Sequence, residues 1–460
     1  MSKSNSKKTP KLDSRQTTEL LRHAEKMIET FLEGLVPPQL GEEDYGCTFF
    51  NHHTVRFTKS FLKAQADFTR LAAKMLKAKA AHEPTIRTLG QKAAQRYVIM
   101  LAGNNGIDEN GKGLHAEAQS LVDTVLEEIS KVYIHIEANF LVSHDRFRGI
   151  IDLGRVRSMS VKDAGANTPL TDFPKILLKP RRYGKDVLFP KSGPTIIGMP
   201  TMVWVVEVPA TKENVAEEAK WLIDVAISFM RLSSQHWSGR YPNVGQVEPH
   251  PILPPRLGTP HVTFHGGMYY AGGGKLPPVY DINKKVARDL RTLDCQQRAA
   301  ILFDPPTQSL AMRVAQGLGW LTRGRQVSDR AERLLSFFTA LEALLTSSDK
   351  SDPVTQTISR YVSVIYTQKL ADRVVIFNIV KALYGLRSAV VHAGKREVLW
   401  QDVNNLQTIV ETVYFVVLKR CDLTMSQERF AQSLSEASHG LSWEFAKPTS
   451  RARKNKQTRQ

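Results

Sequence analysis

The chain has 460 residues and carries 63 Lys and Arg against 45 Asp and Glu, a formal net charge of +18. Its composition, 42% hydrophobic and 23% charged residues, is that of a globular protein and excludes collagen-like and wholly disordered chains. Three widely spaced cysteines exclude a disulfide framework, and no apolar run approaches the roughly 20 residues of a membrane span, so we expect a cytoplasmic protein that does not contact membranes.

The excess positive charge is concentrated at the two ends of the chain. Residues 1–15 have a net charge of +4 and residues 447–460 one of +6, which together make 10 of the 18 charges. Neither end has periodic apolar residues, so we predict disordered basic arms over 1–16 and 447–460. The tail cations predicted to contact RNA phosphates are Arg451, Arg453, Lys454, Lys456 and Arg459. A role in solubility alone explains these arms equally well.

Residues 17–238 have the pattern of a mixed α/β domain. Two smaller subdomains in this stretch would give the same pattern. Apolar residues spaced by three and four predict helices over 17–35, 57–81, 84–98, 114–130 and 212–232. Alternating apolar residues predict strands over 132–140, 147–160 and 202–208. We expect this part to be sensory or regulatory, with a trigger ligand that its residues do not identify.

Proline and glycine dominate residues 239–282, which we predict to be a connection. Residues 283–446 then have only helical patterns, and we predict an all-α domain there. Its predicted helices cover 283–293, 308–322, 329–347, 353–368, 371–392, 402–421 and 425–437. The predicted fold class is therefore an α+β N-terminal part followed by an all-α C-terminal domain.

One short motif resembles a phosphate-binding loop without completing it. Residues 106–112 match G-x-x-x-x-G-K, but Gly113 follows where a hydroxyl residue would hold Mg²⁺. A surface loop is the better interpretation, and nucleotide binding by 103–113 is kept as a weaker alternative. No group of Cys, His and carboxylate residues has metal-ligand spacing, so we expect neither a metal nor a cofactor.

A second motif combines the side chains that RNA cleavage without a metal requires. Such cleavage needs a base, an acid and a cation for the phosphate, and histidine and arginine supply all three. The spacing Arg-x-x-x-x-His occurs three times, at Arg231, Arg256 and Arg387. The first closes the predicted helix 212–232 without supporting context, and the second lies in the Pro/Gly-rich connection. The third lies within a long helical pattern that ends at a glycine just after His392.

The surroundings of Arg387 distinguish it further. Arg387 continues an apolar helical stripe through Leu383, whereas Tyr384, Ser388 and His392 follow one another on a neighbouring stripe. Five residues turn an ideal helix by about 140°, so Arg387 and His392 point in different directions. A second subunit, or a distorted helix end, would be needed to complete a site.

A glutamate upstream lies in an apolar stripe and requires a partner. Glu342 lies in the segment TALEALL (339–345) and shares a helix face with Leu335, Phe338 and Leu345. A carboxylate so placed is stable only when paired. The candidate partners are Arg387, Arg360 and Arg373.

Over about residues 308–421, TALEALL followed some forty residues later by LYGLRSAVVHAG resembles the HEPN superfamily, in particular its ApeA-like branch. The resemblance implies catalysis by Arg387 and His392, with Ser388, Tyr384 and Glu342 in supporting roles. It further implies that the all-α C-terminal domain is an HEPN-like helical bundle. The chain would then be a metal-independent endoribonuclease that acts on RNA as a homodimer through this domain. The implied products have 2′,3′-cyclic phosphate and 5′-OH ends, and the implied role is anti-phage defence or a toxin-like effector.

An alternative without catalysis explains the same residues. Arg387 would then only neutralise Glu342, and His392 would be a cation favoured at a helix C-terminus. Under this interpretation the chain is an inactive HEPN-containing scaffold for nucleic-acid binding or dimerisation.

Overall fold

A computed structural model gives the architecture of the chain. It describes residues 12–33, 35–36, 46–49, 53–76, 78, 82–103, 108, 111–130, 132–139, 142–143, 149–160, 163, 181–182, 196–197, 202–208, 214–234, 261–265, 268–272, 280–282, 284–327, 329–346 and 353–443. The chain divides into two compact units. The first comprises residues up to Ile134 together with Glu207–Glu218, and the second comprises His135–Val206 and residues from Ala219 onward.

Four helices form the core of the first unit, and all four predicted helices are confirmed. They are α1 (Ser14–Leu32), α2 (Lys59–Met75), α3 (Glu83–Gly103) and α4 (Lys112–Ser130). Their apolar faces meet in one cluster, in which the rings of Phe31 and Phe61 pack edge to face with centroids 5.0 Å apart. Before α2 lies a small sheet of β1 (Leu35–Val36), β2 (Gly46–Phe49) and β3 (His53–Arg56), in the order β1-β3-β2.

The first helix begins inside the stretch predicted to be a disordered arm. Asp13 is its N-cap and accepts a hydrogen bond from the backbone N–H of Gln16 at 2.7 Å, while the Gln16 side chain accepts one from the backbone of Asp13. This reciprocal capping box satisfies donors that a helix start otherwise leaves to water. The end of the predicted arm therefore lies earlier than residue 16, because α1 begins at Ser14.

The remaining strands lie in the second unit, apart from the first two residues of β4 and the last two of β10, which belong to the first unit. They are β4 (Tyr133–Asn139), β5 (Val142–Ser143), β6 (Ile151–Asp152), β7 (Val156–Ser160), β8 (Arg181–Arg182), β9 (Ile196–Ile197), β10 (Met202–Val208), β11 (His261–His265), β12 (Met268–Gly272) and β13 (Tyr280–Asp281). Four of them form a small sheet in the order β4-β10-β7-β6. The predicted strands 132–140 and 202–208 are thus confirmed, and the predicted stretch 147–160 contains two strands joined at Gly154, whose φ of 81° suits glycine.

Helices make up the rest of the second unit. They are α5 (Val215–Ser233, whose first residues belong to the first unit), α6 (Lys284–Leu290), α7 (Leu293–Phe303), α8 (Leu310–Gln326), α9 (Arg330–Leu345), α10 (Val354–Tyr366), α11 (Leu370–Ala393), α12 (Trp400–Arg420) and α13 (Gln427–Ser438). An α+β N-terminal half followed by a helical C-terminal half is therefore confirmed. Within the predicted connection 239–282, β11 and β12 pair as an antiparallel hairpin.

The helix predicted over 283–293 is confirmed over Lys284–Leu290, but it ends three residues earlier than predicted. A further helix, α7, begins at Leu293 and was not predicted. The hydroxyl of Thr292 accepts a hydrogen bond from the backbone N–H of Cys295 at 3.3 Å, so Thr292 is an N-cap rather than part of a continuous helix.

Glycine allows three helices of the second unit to approach closely. A Cβ at Gly317 of α8 would lie 1.4 Å from the hydroxyl oxygen of Tyr414 on α12. That hydroxyl donates a 2.7 Å hydrogen bond to the carbonyl of Ala340 on α9, and burial raises the pKa of Tyr414. One buried phenol thus joins α8, α9 and α12, and it fixes the position of α9, the helix that carries Glu342, relative to the other two.

A buried group of charged side chains also joins α5 to this bundle. Glu411 of α12 accepts hydrogen bonds from Arg231 of α5, from Arg325 of α8 and, at 2.8 Å, from Gln407. Burial alone would raise the pKa of Glu411, but Arg231 and Arg325 outweigh it and hold the pKa below its usual value. Arg333 lies beside them, and burial followed by repulsion from Arg325 lowers its pKa to about 9. We refer to these five residues as the Glu411 cluster.

Candidate functional site

Two helices, α9 and α11, position the candidate site. The carboxylate of Asp329 accepts a 3.0 Å hydrogen bond from the backbone N–H of Glu332, so Asp329 is the N-cap of α9. Helix α11 ends at Ala393, and Gly394 follows in the left-handed conformation with a φ of 63°. Glycine adopts this conformation at little cost, so the predicted glycine stop is confirmed.

The centre of the site is one carboxylate oxygen. Oε1 of Glu342 lies 3.2 Å from Nη2 of Arg387 and accepts a 3.0 Å hydrogen bond from the hydroxyl of Tyr384. Of the three arginines proposed as partners for this carboxylate, Arg387 is therefore the one that pairs with it. Arg373 instead donates to the backbone carbonyls of Thr367 and Ala437, at 3.0 and 3.1 Å.

Tyr384 is held from two sides. Its ring packs edge to face against Phe338, with centroids 5.1 Å apart, and the guanidinium of Arg387 lies 5.4 Å from its ring centroid. Burial, together with the charge and hydrogen bond of Glu342, raises the pKa of Tyr384 to about 12. Tyr384 is therefore a neutral donor at physiological pH and holds Glu342 in place.

The guanidinium of Arg387 is fixed but not enclosed. The side chains of Arg387 and Glu342 are each 23% exposed. A bidentate cation that is held on one side and reachable on another suits the binding of a phosphate. The supporting residue Ser388 is half-buried beside it.

His392 is not brought to this centre. It lies exposed in the last turn of α11, about 7.5 Å further along the helix axis and about 140° around it from Arg387. The structure thus groups Glu342, Tyr384 and Arg387, and leaves His392 at the edge of the same helix. Within one chain, the arginine and histidine of the motif face different directions.

Helix α11 also has a large exposed apolar surface. Only Val380, Leu383 and Tyr384 of its 24 residues are buried. Val374 and Val375 are 61% and 57% exposed, and Val391, next to His392, is 47% exposed. We call the exposed side chains of Val374, Val375 and Ile379 the α11 apolar face; Val391 lies separately, about 18 Å further along the helix.

The composition of α11 matters for a second reason. In the described part of the chain, α11 is long enough and apolar enough to cross a membrane. Its most apolar 18-residue window has a mean hydropathy of 1.6. Only 17% of that window is buried. Helices that bind a protein partner through an apolar face meet the same criterion, so this finding is weak evidence for a membrane span.

The weaker nucleotide-binding alternative meets an obstacle at Asp108. Its carboxylate accepts hydrogen bonds from the backbone N–H groups of Gly113 and Leu114, at 2.8 and 2.9 Å, and one from the hydroxyl of Tyr97 at 2.8 Å. These bonds hold the pKa of Asp108 below its usual value. The donors that would bind a phosphate at the start of α4 are thus occupied by a carboxylate.

Other predicted residues make no comparable site. Arg231, from the first Arg-x-x-x-x-His spacing, is part of the Glu411 cluster. The tail residues Arg451, Arg453, Lys454, Lys456 and Arg459 lie outside the described residues. In the described part of the chain, no group of three or more His, Cys, Asp or Glu residues is arranged to hold a metal ion.

Sequence reasoning did not identify the Glu411 cluster, although a signal for it was present. Glu411 follows Ile409 and Val410 and precedes Val413 and Tyr414, so it lies among apolar residues as Glu342 does. The same argument from an apolar stripe would have demanded a cationic partner for it. The identity of that partner could not be read, because Arg231 is 180 residues away.

Comparisons with protein-family models, with curated proteins and with solved structures found no match to this chain. The resemblance to the HEPN superfamily therefore depends on the residues of α9 and α11 alone.

Proposed function

We propose that the chain is a metal-independent HEPN-type endoribonuclease that cleaves RNA by attack of the 2′-OH. The main support is that Glu342 of α9 anchors Arg387 of α11 at 3.2 Å, and that His392 is exposed five residues further along α11. An arginine that is already oriented loses little freedom when it binds a phosphate. An exposed imidazole on the same helix is accessible to RNA as a proton donor or acceptor.

In the proposed reaction, histidine and arginine have separate tasks. A His392 imidazole takes the proton of the 2′-OH, and the oxygen then attacks the adjacent phosphorus. Arg387 stabilises the additional negative charge on the phosphate oxygens. The bond to the 5′-oxygen breaks, and this oxygen receives a proton from a protonated imidazole. The products carry 2′,3′-cyclic phosphate and 5′-OH ends.

A homodimer would bring the separated groups together, and we propose that a second copy packs on the α11 apolar face. Val391, beside His392, is also exposed at the other end of α11, so a second copy that packs along the whole helix would adjoin the motif. Two copies would supply the two histidines that the reaction uses as base and acid. RNA is the proposed substrate, and anti-phage defence or a toxin-like effector is the proposed role.

Cleavage of RNA in EDTA tests the catalytic proposal. We expect the wild-type protein to cut RNA and leave cyclic phosphate ends, and His392→Ala and Arg387→Ala each to reduce the rate by about 10²–10⁴-fold. His439→Ala is the matched control, since His439 is also exposed after a helix of the same unit. Equal activity of His392→Ala and His439→Ala would show that His392 is not catalytic.

Sedimentation velocity tests the dimer. Val375→Asp should convert dimers to monomers, whereas Val354→Asp, at an exposed valine of α10, should leave the dimer intact. A monomeric wild type at all concentrations would contradict the proposal. Wild-type protein that floats with lipid vesicles instead of dimerising would indicate a membrane-facing α11.

A second candidate function is an inactive scaffold for RNA binding or dimerisation. The observation that favours it is the ion pair of Arg387, which satisfies Glu342 without any substrate. It predicts RNA binding and dimerisation with no cleavage under any condition, and equal RNA affinity for wild type and His392→Ala.

A further inference from the structure

Helix α2 of the first unit has a row of cations along one side. Lys59, Lys63, Arg70 and Lys74 are all exposed. Successive residues of an α-helix lie about 100° apart around its axis, so these four positions fall within a sector of about 60°. They extend over about 22 Å of the helix. We call these four residues the α2 cationic stripe.

The opposite side of α2 holds the helix in the first unit. Phe61, Ala64, Phe68 and Ala72 are buried in the apolar cluster of that unit. The hydroxyl of Thr58 accepts a 3.1 Å hydrogen bond from the backbone N–H of Phe61 and caps the first turn. Packing and this cap therefore keep the α2 cationic stripe on a regular helix, facing solvent.

The charges of the stripe do not stabilise α2. Lys59 and Lys63 are four residues apart, as are Arg70 and Lys74, and like charges at that spacing repel each other. Lys59 also lies at the positive end of the helix dipole, and the first turn has no acidic residue. The stability of the helix therefore gives no reason for this row of cations.

Little of the positive charge of the stripe is neutralised within the chain. Asp67 is the one carboxylate in α2, and it lies 3.7 Å from Arg70, whose side chain is 80% exposed. An exposed ion pair of this kind is weak and is screened by salt. Among the described residues, Asp67 is also the only carboxylate in an ion pair with the stripe. Four cations and one carboxylate leave this side of α2 with a net charge of +3.

We propose that the α2 cationic stripe binds the phosphate backbone of single-stranded RNA. A strand with phosphates about 3.4 Å apart carries about six of them over the length of the stripe, so each of the four cations can meet a phosphate. Arg70 has forked donors that fit phosphate oxygens, and the lysines add point charges. The first unit is then an RNA-binding part of the chain.

A membrane surface is the less suitable partner for this stripe. Helices that lie on membranes expose an apolar face beside their cations. The apolar face of α2 is buried, and Leu62, half exposed beside the stripe, is a single side chain and not such a face. That the bound polyanion is RNA rests on the proposed function, whereas the positive surface does not.

Binding of a 2′-O-methyl RNA oligonucleotide to the full chain, measured by fluorescence anisotropy over a range of salt concentrations, tests the proposal. This RNA resists cleavage by 2′-OH attack, so binding is measured whether or not the protein is a nuclease. In K59Q/K63Q, the slope of log affinity against log salt should be shallower by about 1.4, so the loss of affinity between 0.1 M and 1 M salt is about 25-fold smaller than for the wild type. K59R/K63R keeps both charges and should keep the wild-type slope.

R22Q/K26Q is the matched control, because it removes two exposed cations four residues apart from α1, where carboxylates alternate with cations. Its slope should equal that of the wild type. The proposal is overturned if K59Q/K63Q and R22Q/K26Q change the slope equally, or if K59R/K63R has the shallow slope of K59Q/K63Q. Binding of the wild type to phosphatidylserine vesicles through the stripe, and not to RNA, also overturns it.

The same variants separate this inference from the proposed function. A protein that cleaves natural RNA and has an unaltered slope in K59Q/K63Q refutes this inference alone. A protein that binds RNA through the stripe without cleaving natural RNA refutes the proposed function alone.

Discussion

Replacing Glu342 with Gln removes the charge around which the candidate site is built. Two side chains share its Oε1, at 3.0 Å for Tyr384 and 3.2 Å for Arg387. With an effective dielectric constant near 20, two charges at that separation attract by about 5 kcal/mol. Desolvation and the ordering of Arg387 offset most of this attraction, so we expect a net coupling of about 1–2 kcal/mol.

A double-mutant cycle measures that coupling directly. It compares Glu342→Gln, Arg387→Gln and the double variant in urea unfolding. Tryptophan fluorescence is a suitable signal because five of the six tryptophans lie in the described part of the second unit, at Trp204, Trp221, Trp320, Trp400 and Trp443. A coupling below about 0.3 kcal/mol would refute the conclusion that Glu342 holds Arg387.

The same substitution should also change the titration of Tyr384. Burial raises its pKa to about 12 with the help of the Glu342 charge and hydrogen bond, so Glu342→Gln should lower that pKa toward the usual value of 10. Because the folded pKa is raised, the stabilisation from neutral Tyr384 is complete below pH 10 and is lost as the pH rises through 12. Absorbance titration, with Tyr384→Phe to identify the signal, measures the change. An unchanged pKa in Glu342→Gln would exclude this electrostatic contribution.

Three further substitutions test the fold around the site. Gly317→Ala should destabilise the second unit by about 1–3 kcal/mol in urea unfolding, because its Cβ would overlap Tyr414. Gly385→Ala, where a Cβ meets open space, should be neutral or stabilise by up to about 1 kcal/mol. Equal effects of the two substitutions would refute the close contact at Gly317. Glu411→Gln should cost about 3–5 kcal/mol in the same assay, since it leaves buried guanidiniums uncompensated, and a loss under about 1 kcal/mol would contradict this. Asp108→Asn should reduce the acid sensitivity of the first unit, followed by circular dichroism: the lowered pKa of Asp108 stabilises the fold above pH 3.8, and this contribution disappears as the pH falls through the folded pKa.

Local patterns in the sequence predict most helices and the two long strands. The glycine after His392, the N-cap Asp329 and the apolar periodicity of α1 to α4 all act over a few residues. Even the pairing of Glu342 with an arginine follows from one rule, that a carboxylate in an apolar stripe needs a cation. The same local rules missed the break between α6 and α7, because Thr292 gives a cap signal weaker than the helical periodicity around it.

A net charge of +18, with more than half of the excess in the two arms, favours a polyanionic partner. The sequence by itself thus determined the helical character of the C-terminal half, the motif residues and the sign of the surface charge. Only the tertiary structure selected Arg387 among three candidate partners, left His392 exposed, and gathered Arg231 and Glu411 across 180 residues. These outcomes depend on which helix faces meet. Packing between distant segments decides which faces meet, and the pattern within one segment does not show it.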